Sequence, residues 1–228
     1  MGDRLRWSAR TKFETRLDED KQVGLIVGYA AVINQPTELW PGFVEEIAPG
    51  AFVDTIRDDD IRALFNHSEM VVLGRNTAGT LRLAEDSIGL HYEIDADLQI
   101  VAVGDVYRMI VRRDVTQSSF GFEILAEEWV YPETGDDPIR CTIKKVRLWD
   151  VAPVTFAAYP QTEVEARQDR FLHVIADQAH RDLADVRRME PTQLRSLFAA
   201  TPPSKLVVPP RTPLLTAAYA ELRKRQYG

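Results

Sequence analysis

Two long stretches of strand-forming sequence flank a polar turn between residues 116 and 150, and no other feature constrains the fold more. Thr116–Val130 reads as one long strand, and Ile139–Asp150 reads as the returning strand, running on into Val151–Phe156. Between them, Pro132-Glu133-Thr134-Gly135-Asp136-Asp137-Pro138 is dense in turn formers and forms a hairpin loop. Strands of this length commit the chain to a sheet whose alternate residues face opposite sides.

The rest of the first 160 residues fits that commitment. Val23–Ile33 is rich in β-branched residues and stops at the turn signal Asn34-Gln35-Pro36. Ile61–His67 alternates, with Ile61, Ala63, Phe65 and His67 on one face. Thr80–Ala84 and Leu90–Leu98 read as further strands. Two helices interrupt the pattern. One is short and lies within Pro49–Ile56; the other spans Val101–Asp114, where Val103, Val106/Tyr107 and Ile110 recur at helical spacing.

Past Pro160 the texture changes. Phe171, Val174/Ile175, Ala179, Leu183 and Val186 mark an amphipathic helix, and Thr192–Ala200 a short one. A Pro-rich connector, Pro202-Pro203 to Pro209-Pro210, reads as extended, and Leu214–Arg225 as a last helix with a basic end. Charge divides the chain at the same place. Residues 161–228 hold 11 basic and 8 acidic side chains, net +3, while the first 160 hold 17 and 27, net −10. An acidic body repels phosphate, so direct nucleic-acid binding is not expected. The weakly basic tail reads as a separate module.

The 228 residues, 45% hydrophobic, suffice for one large domain or a domain plus tail, and exclude wholesale disorder. One cysteine, Cys141, excludes a disulfide framework and any cysteine-based zinc cluster. No apolar run is long enough to span a membrane, and the charged N-terminus lacks the apolar region of a signal peptide, so neither is expected. No cofactor or metal is expected either.

Three segments carry candidate chemistry: Phe65-Asn66-His67-Ser68 with Leu73-Gly74-Arg75, Ser118-Ser119-Phe120-Gly121-Phe122, and Leu148-Trp149-Asp150-Val151-Ala152-Pro153-Val154-Thr155. They offer a base, a nucleophile and a carboxylate. A serine hydroxyl attacks only when a hydrogen-bonded imidazole takes its proton, and a third group must fix that imidazole. Strand parity puts Ser118 with Phe120 and Phe122 on the core side, and Ser119 with Gly121 on the other. Ser119 is thus the nucleophile candidate, with Gly121 leaving space for a substrate backbone. The competing reading is an ordinary surface serine. His67 reads as the base or as a half-buried structural histidine. Asp150, given the parity of Val146 and Leu148, reads as an orienting carboxylate or as the partner of Arg147 or Arg140 in an ion pair. His91 is another candidate third member. His173 and His180, with Asp177, could ligate a metal, but a solvated helix face fits them better. Asp58-Asp59-Asp60 reads as a solvated turn, since it lacks the spacing of a calcium loop.

Six segments in order resemble the prohead (procapsid) maturation proteases of tailed bacteriophages, a family related in fold to the herpesvirus capsid protease, assemblin. They are Gly28-Tyr29-Ala30-Ala31-Val32-Ile33-Asn34, Glu46-Ile47-Ala48-Pro49-Gly50-Ala51-Phe52, Phe65-Asn66-His67, Leu73-Gly74-Arg75, Ser119-Phe120-Gly121-Phe122, and Leu148-Trp149-Asp150-Val151 through Val154-Thr155, Ala157 and Pro160. The departures are Ser118 where Met is common, Ala152-Pro153 where Ser plus an aliphatic residue is usual, and Asp150 in place of Glu. The resemblance covers most of residues 23–165 and implies the following. The fold is α+β, mainly β: a closed antiparallel β-barrel with flanking helices. His67, Ser119 and Asp150 are catalytic. The chain is a serine endopeptidase that cleaves scaffold segments of the major capsid protein, and itself, inside the assembling procapsid in the host cytoplasm. A homodimer is plausible by the same relation.

The division expected is a protease domain over 1–165 and a helical, Pro-rich tail over 166–228, serving capsid targeting, dimerisation or autolysis. Its helix could dock on the barrel, mediate dimers or hold the enzyme in the shell. Two other readings stay open: a catalytically inactive, protease-like scaffold or internal capsid-assembly protein, and an unrelated small-molecule-binding barrel.

Overall fold

The structure, a computed structural model, describes residues 5–10, 13–131, 137–156, 160–199 and 206–208. The strands in chain order are β1 (Leu5–Arg10), β2 (Glu14–Asp18), β3 (Val23–Val32), β4 (Thr37–Trp40), β5 (Phe43–Ile47), β6 (Arg62–Phe65), β7 (Ser68–Arg75), β8 (Leu81–Glu85), β9 (Gly89–Asp97), β10 (Gln117–Val130), β11 (Ile139–Val154) and β12 (Leu206–Val208). The helices are α1 (Val53–Asp58), α2 (Val101–Val111), α3 (Pro160–Ala179), α4 (Leu183–Val186) and α5 (Pro191–Ala199).

The β10–β11 hairpin is the spine. β11 runs antiparallel to β10, and its other edge takes β5 along Ile139–Ile143 and β6 along Asp150–Val151. Both of these pairings are parallel, because β5 and β6 meet the same edge in the same direction, joined through α1. β10's outer edge takes β1 and β12. A second sheet, in the order β2-β3-β9-β8, is antiparallel throughout. The protein is therefore mainly β with helices, as the sequence indicates. Among the described residues the strands form two sheets and no closed barrel is found, and the larger sheet is mixed rather than antiparallel.

The main core lies between the sheets. β3 and β9 alternate buried and half-buried residues, sending Ile26, Tyr92 and Ile94 inward to meet Phe120, Phe122, Val146, Leu148 and Val151. Phe120 stacks on Phe122 at 4.6 Å, and Phe52 meets Phe120 edge-on at 5.6 Å. Helix α2 closes this core with Val103, Val106, Tyr107 and Ile110, at the spacing that predicts it. Each such buried side chain contributes roughly 1.5–3 kcal/mol.

A second core lies at the far end of the hairpin. There α3 lays Phe171, Leu172, Ile175 and Ala176 on Phe43, Trp129, Ile139 and Cys141, while α4 and α5 add Val186, Leu194 and Phe198. The predicted single helix through Val186 is in fact two, α3 and α4: His180 takes φ 50° just past Ala179 and stops the first. Beneath α3, Arg170 bonds to both Glu45 and Glu127, and its guanidinium lies 5.7 Å from the Trp129 ring. Val207 and Val208 of the Pro-rich connector are extended in β12; the expected helix over 214–225 lies outside the described residues.

Candidate active site

His67 reaches its place through a turn. The strand expected over Ile61–His67 ends at Phe65, and Asn66-His67 forms a two-residue link into β7, with Phe65 paired to Ser68. Both residues have positive φ, 52° and 56°, the requirement of a type I′ hairpin turn. Asn tolerates this backbone well; His less so. Asn66 pins the turn to the end of β11. Its side chain donates to Thr155 Oγ1 at 3.1 Å and accepts from the Thr155 N–H at 2.8 Å, and its own N–H donates to the Pro153 carbonyl at 3.1 Å.

Asp150 owes its position to an irregularity. Opposite Gly121 stands Asp150, but opposite Phe122 stands Leu148, so Trp149 is an extra residue on β11. Directly paired residues point the same way. The bulge therefore moves Asp150 off the face of Val146 and Leu148, where simple alternation puts it, onto the face of Ser119. Gly121 makes this possible: a Cβ there would run into Asp150 Oδ2. The space expected to receive a substrate backbone is filled by the protein's own carboxylate.

The three nominated side chains meet. His67 Nε2 lies 2.8 Å from Ser119 Oγ, and His67 Nδ1 lies 2.5 Å from Asp150 Oδ1. An ionised carboxylate only accepts, so the neutral imidazole holds its proton on Nδ1 and donates it to Asp150. Nε2 is then free to accept the Ser119 hydroxyl proton. The His67 and Asp150 side chains are only 5% and 7% exposed, which protects the pair from water. With Asp rather than Glu the reach is still sufficient.

The competing candidates lie elsewhere: Arg140 sits at the far end of β11, opposite Val130. Arg147 lies over Trp149 and approaches Asp59. Ser118 faces the core, where its Oγ lies 2.9 Å from Tyr92 Oη. His91 packs edge-on against Tyr29 in the second sheet, and His173 Nε2 approaches Asp169 on α3. The Asp58–Asp60 run is ion-paired rather than merely solvated: Asp58 with Arg57, and Asp60 with Arg62 and Arg75. Arg75 holds the Asp60 carboxyl at about 2. Burial pushes the Cys141 thiol well above its usual range, so it stays protonated under α3.

A groove of about 450 Å³ opens beside Asp150, walled by Asp59, Asp60, Arg62, Glu69, Arg147 and Trp149. Sequence reasoning placed Asn66 on a strand face and missed its anchoring role. The Asn-His pair between two short apolar runs was the available signal of a tight turn.

No helix among the described residues is long and apolar enough to cross a membrane. No curated protein and no solved structure matches the chain. A family model does: that of the Caudovirus prohead serine proteases, over residues 11–176. This span takes in all six motif segments, the hairpin spine and most of α3, and on it the chain belongs to the caudovirus prohead serine protease family.

Proposed function

We propose that the chain is a working serine endopeptidase with Ser119 as nucleophile, His67 as general base and Asp150 as orienter. The observation that carries this is the pair of contacts at the two imidazole nitrogens, on the residues the family motifs single out. Ser119 Oγ attacks the scissile carbonyl as its proton passes to His67 Nε2. Asp150 steadies the resulting imidazolium through Nδ1. The imidazolium gives its proton to the leaving amine, and water, activated by the same His67, releases the acyl group from Ser119. Such base assistance is worth roughly 10²–10⁴-fold.

The substrate proposed is the scaffold segment of the major capsid protein inside the procapsid, with the chain itself as a second substrate. Residues 1–165 are the protease body, and 166–228 a tail that begins within α3, the helix that rests on that body. The β3–β9 sheet faces β1 and β10 across the core, an arrangement compatible with an assemblin-like barrel. A homodimer belongs to the same reading.

Co-expression with the cognate capsid precursor, read by intact mass, tests the proposal. The wild-type chain trims the precursor and its own tail; Ser119→Ala does neither. Identical masses for both would overturn it. One observation favours the second reading, an inactive assembly protein: Ser119 has no exposed surface. A fluorophosphonate that labels the wild type but not Ser119→Ala excludes that reading.

A further inference from the structure

Ser119 is completely buried, and the backbone of β1 runs directly beside it. β1 pairs antiparallel with Gln117–Phe122, the whole nucleophile segment, with Ser8 opposite Ser119. The tail strand β12 holds the same edge of β10 further along, at Glu127–Trp129. β11 occupies the other edge throughout. Both strands on the outer edge thus come from the two ends of the chain, and neither is part of the hairpin they cover.

We infer that the outer edge of β10 is the substrate-docking edge, and that β1 is a resident stand-in which an extended peptide must displace. The inference rests on the protease reading for its consequence, but not for its binding chemistry. A strand edge offers alternating N–H and C=O groups, so it recognises any extended segment able to complete the ladder. Main-chain recognition of this kind suits an unfolded stretch of about six residues and tolerates varied side chains. While β1 is paired, Ser119 stays sealed and the enzyme is latent. When β1 peels away, the edge and the serine open together.

The full-length chain with Trp7→Pro and Ser8→Pro tests this. In a strand, one of two successive N–H groups points to a given neighbour, so the pair of prolines removes a ladder bond whichever it is. Fluorophosphonate labelling of this variant is expected to be at least tenfold faster than wild type. A fluorescein-labelled synthetic peptide of residues 3–12 is expected to bind it at least tenfold more tightly than wild type, read by anisotropy in the Ser119→Ala background. As a converse, an Arg10→Cys, Gln117→Cys chain joins two residues opposite in register. Oxidised, it should label at least tenfold more slowly than when reduced.

The outcomes separate. Peptide binding without labelling in any form would sustain the edge and overturn the protease reading. Equal labelling in proline variant, wild type and oxidised chain, with no gain in peptide binding, would overturn the edge and leave the protease intact. A proline variant that fails to fold leaves the oxidised and reduced forms to decide.

Discussion

Adding one methyl group at Gly121 should disable the site without substituting any of its three candidate side chains. The Cβ that Gly121→Ala introduces would land on Asp150 Oδ2, across the ladder, where backbone fixes both residues. The carboxylate has to rotate away, and its 2.5 Å contact with His67 Nδ1 goes with it. An off-rotamer side chain costs about 0.5–1.5 kcal/mol, and a charge-assisted hydrogen bond about 1.5–3 kcal/mol. Together they amount to roughly 2–4 kcal/mol, which in a transition state is a loss of about thirty- to a thousandfold. The assay is turnover of the capsid precursor or the fluorophosphonate labelling rate, with circular dichroism to confirm the fold. A double-mutant cycle locates the effect. In an Asp150→Ala background the carboxylate is gone, so Gly121→Ala should cost almost nothing further. Labelling of Gly121→Ala within twofold of wild type would refute the reasoning, as would an equal cost in both backgrounds.

Three other perturbations bear on the framework. Asn66→Ala removes two side-chain bonds to Thr155, each worth about 1 kcal/mol, so turnover should fall roughly tenfold or more; Asn66→Gly, which keeps the backbone at ease, should fall about as far if the bonds matter rather than the φ angle. Arg170→Ala leaves Glu45 and Glu127 buried without their shared cation, a loss of about 3–5 kcal/mol by urea unfolding, with a change in Trp129 fluorescence as α3 lifts. Arg75→Gln should raise the Asp60 midpoint from about 2 toward its ordinary 3.8 by NMR titration; because the folded value is depressed, the stabilising effect is present above the ordinary value and fades as pH falls toward about 2.

The strand hairpin, α2 and the identity of the three meeting side chains were all legible in the sequence, because each rests on local periodicity or on a short motif. Parity chose Ser119 over Ser118, and the structure has them on opposite faces, with Ser118 bonded toward the core. Parity failed for Asp150, since a single extra residue at Trp149 reverses the count and no local signal announces it. It failed for His67 because positive φ at two successive non-glycine residues is unusual enough that a strand ending is the simpler reading. The mixed character of the larger sheet and the placement of β1 and β12 were out of reach for another reason. They depend on which distant edges meet, which alternation within one segment does not encode.

The bulge at Trp149 also acts as a rule of arithmetic for the chain. Between the hairpin loop and the carboxylate, β11 must deliver a fixed parity, and that parity is an integer property. Adding or deleting one residue there would swing Asp150 into the apolar layer and carry Leu148 or Val151 out to Ser119. Changes of two residues would restore the facing but slide Asp150 about 6–7 Å along the strand, away from Gly121 and out of reach of His67. The length of this strand is therefore constrained twice over: an odd step turns the carboxylate to the wrong face, and an even step keeps the face but carries it out of reach of the imidazole, whatever the identity of the residues inserted.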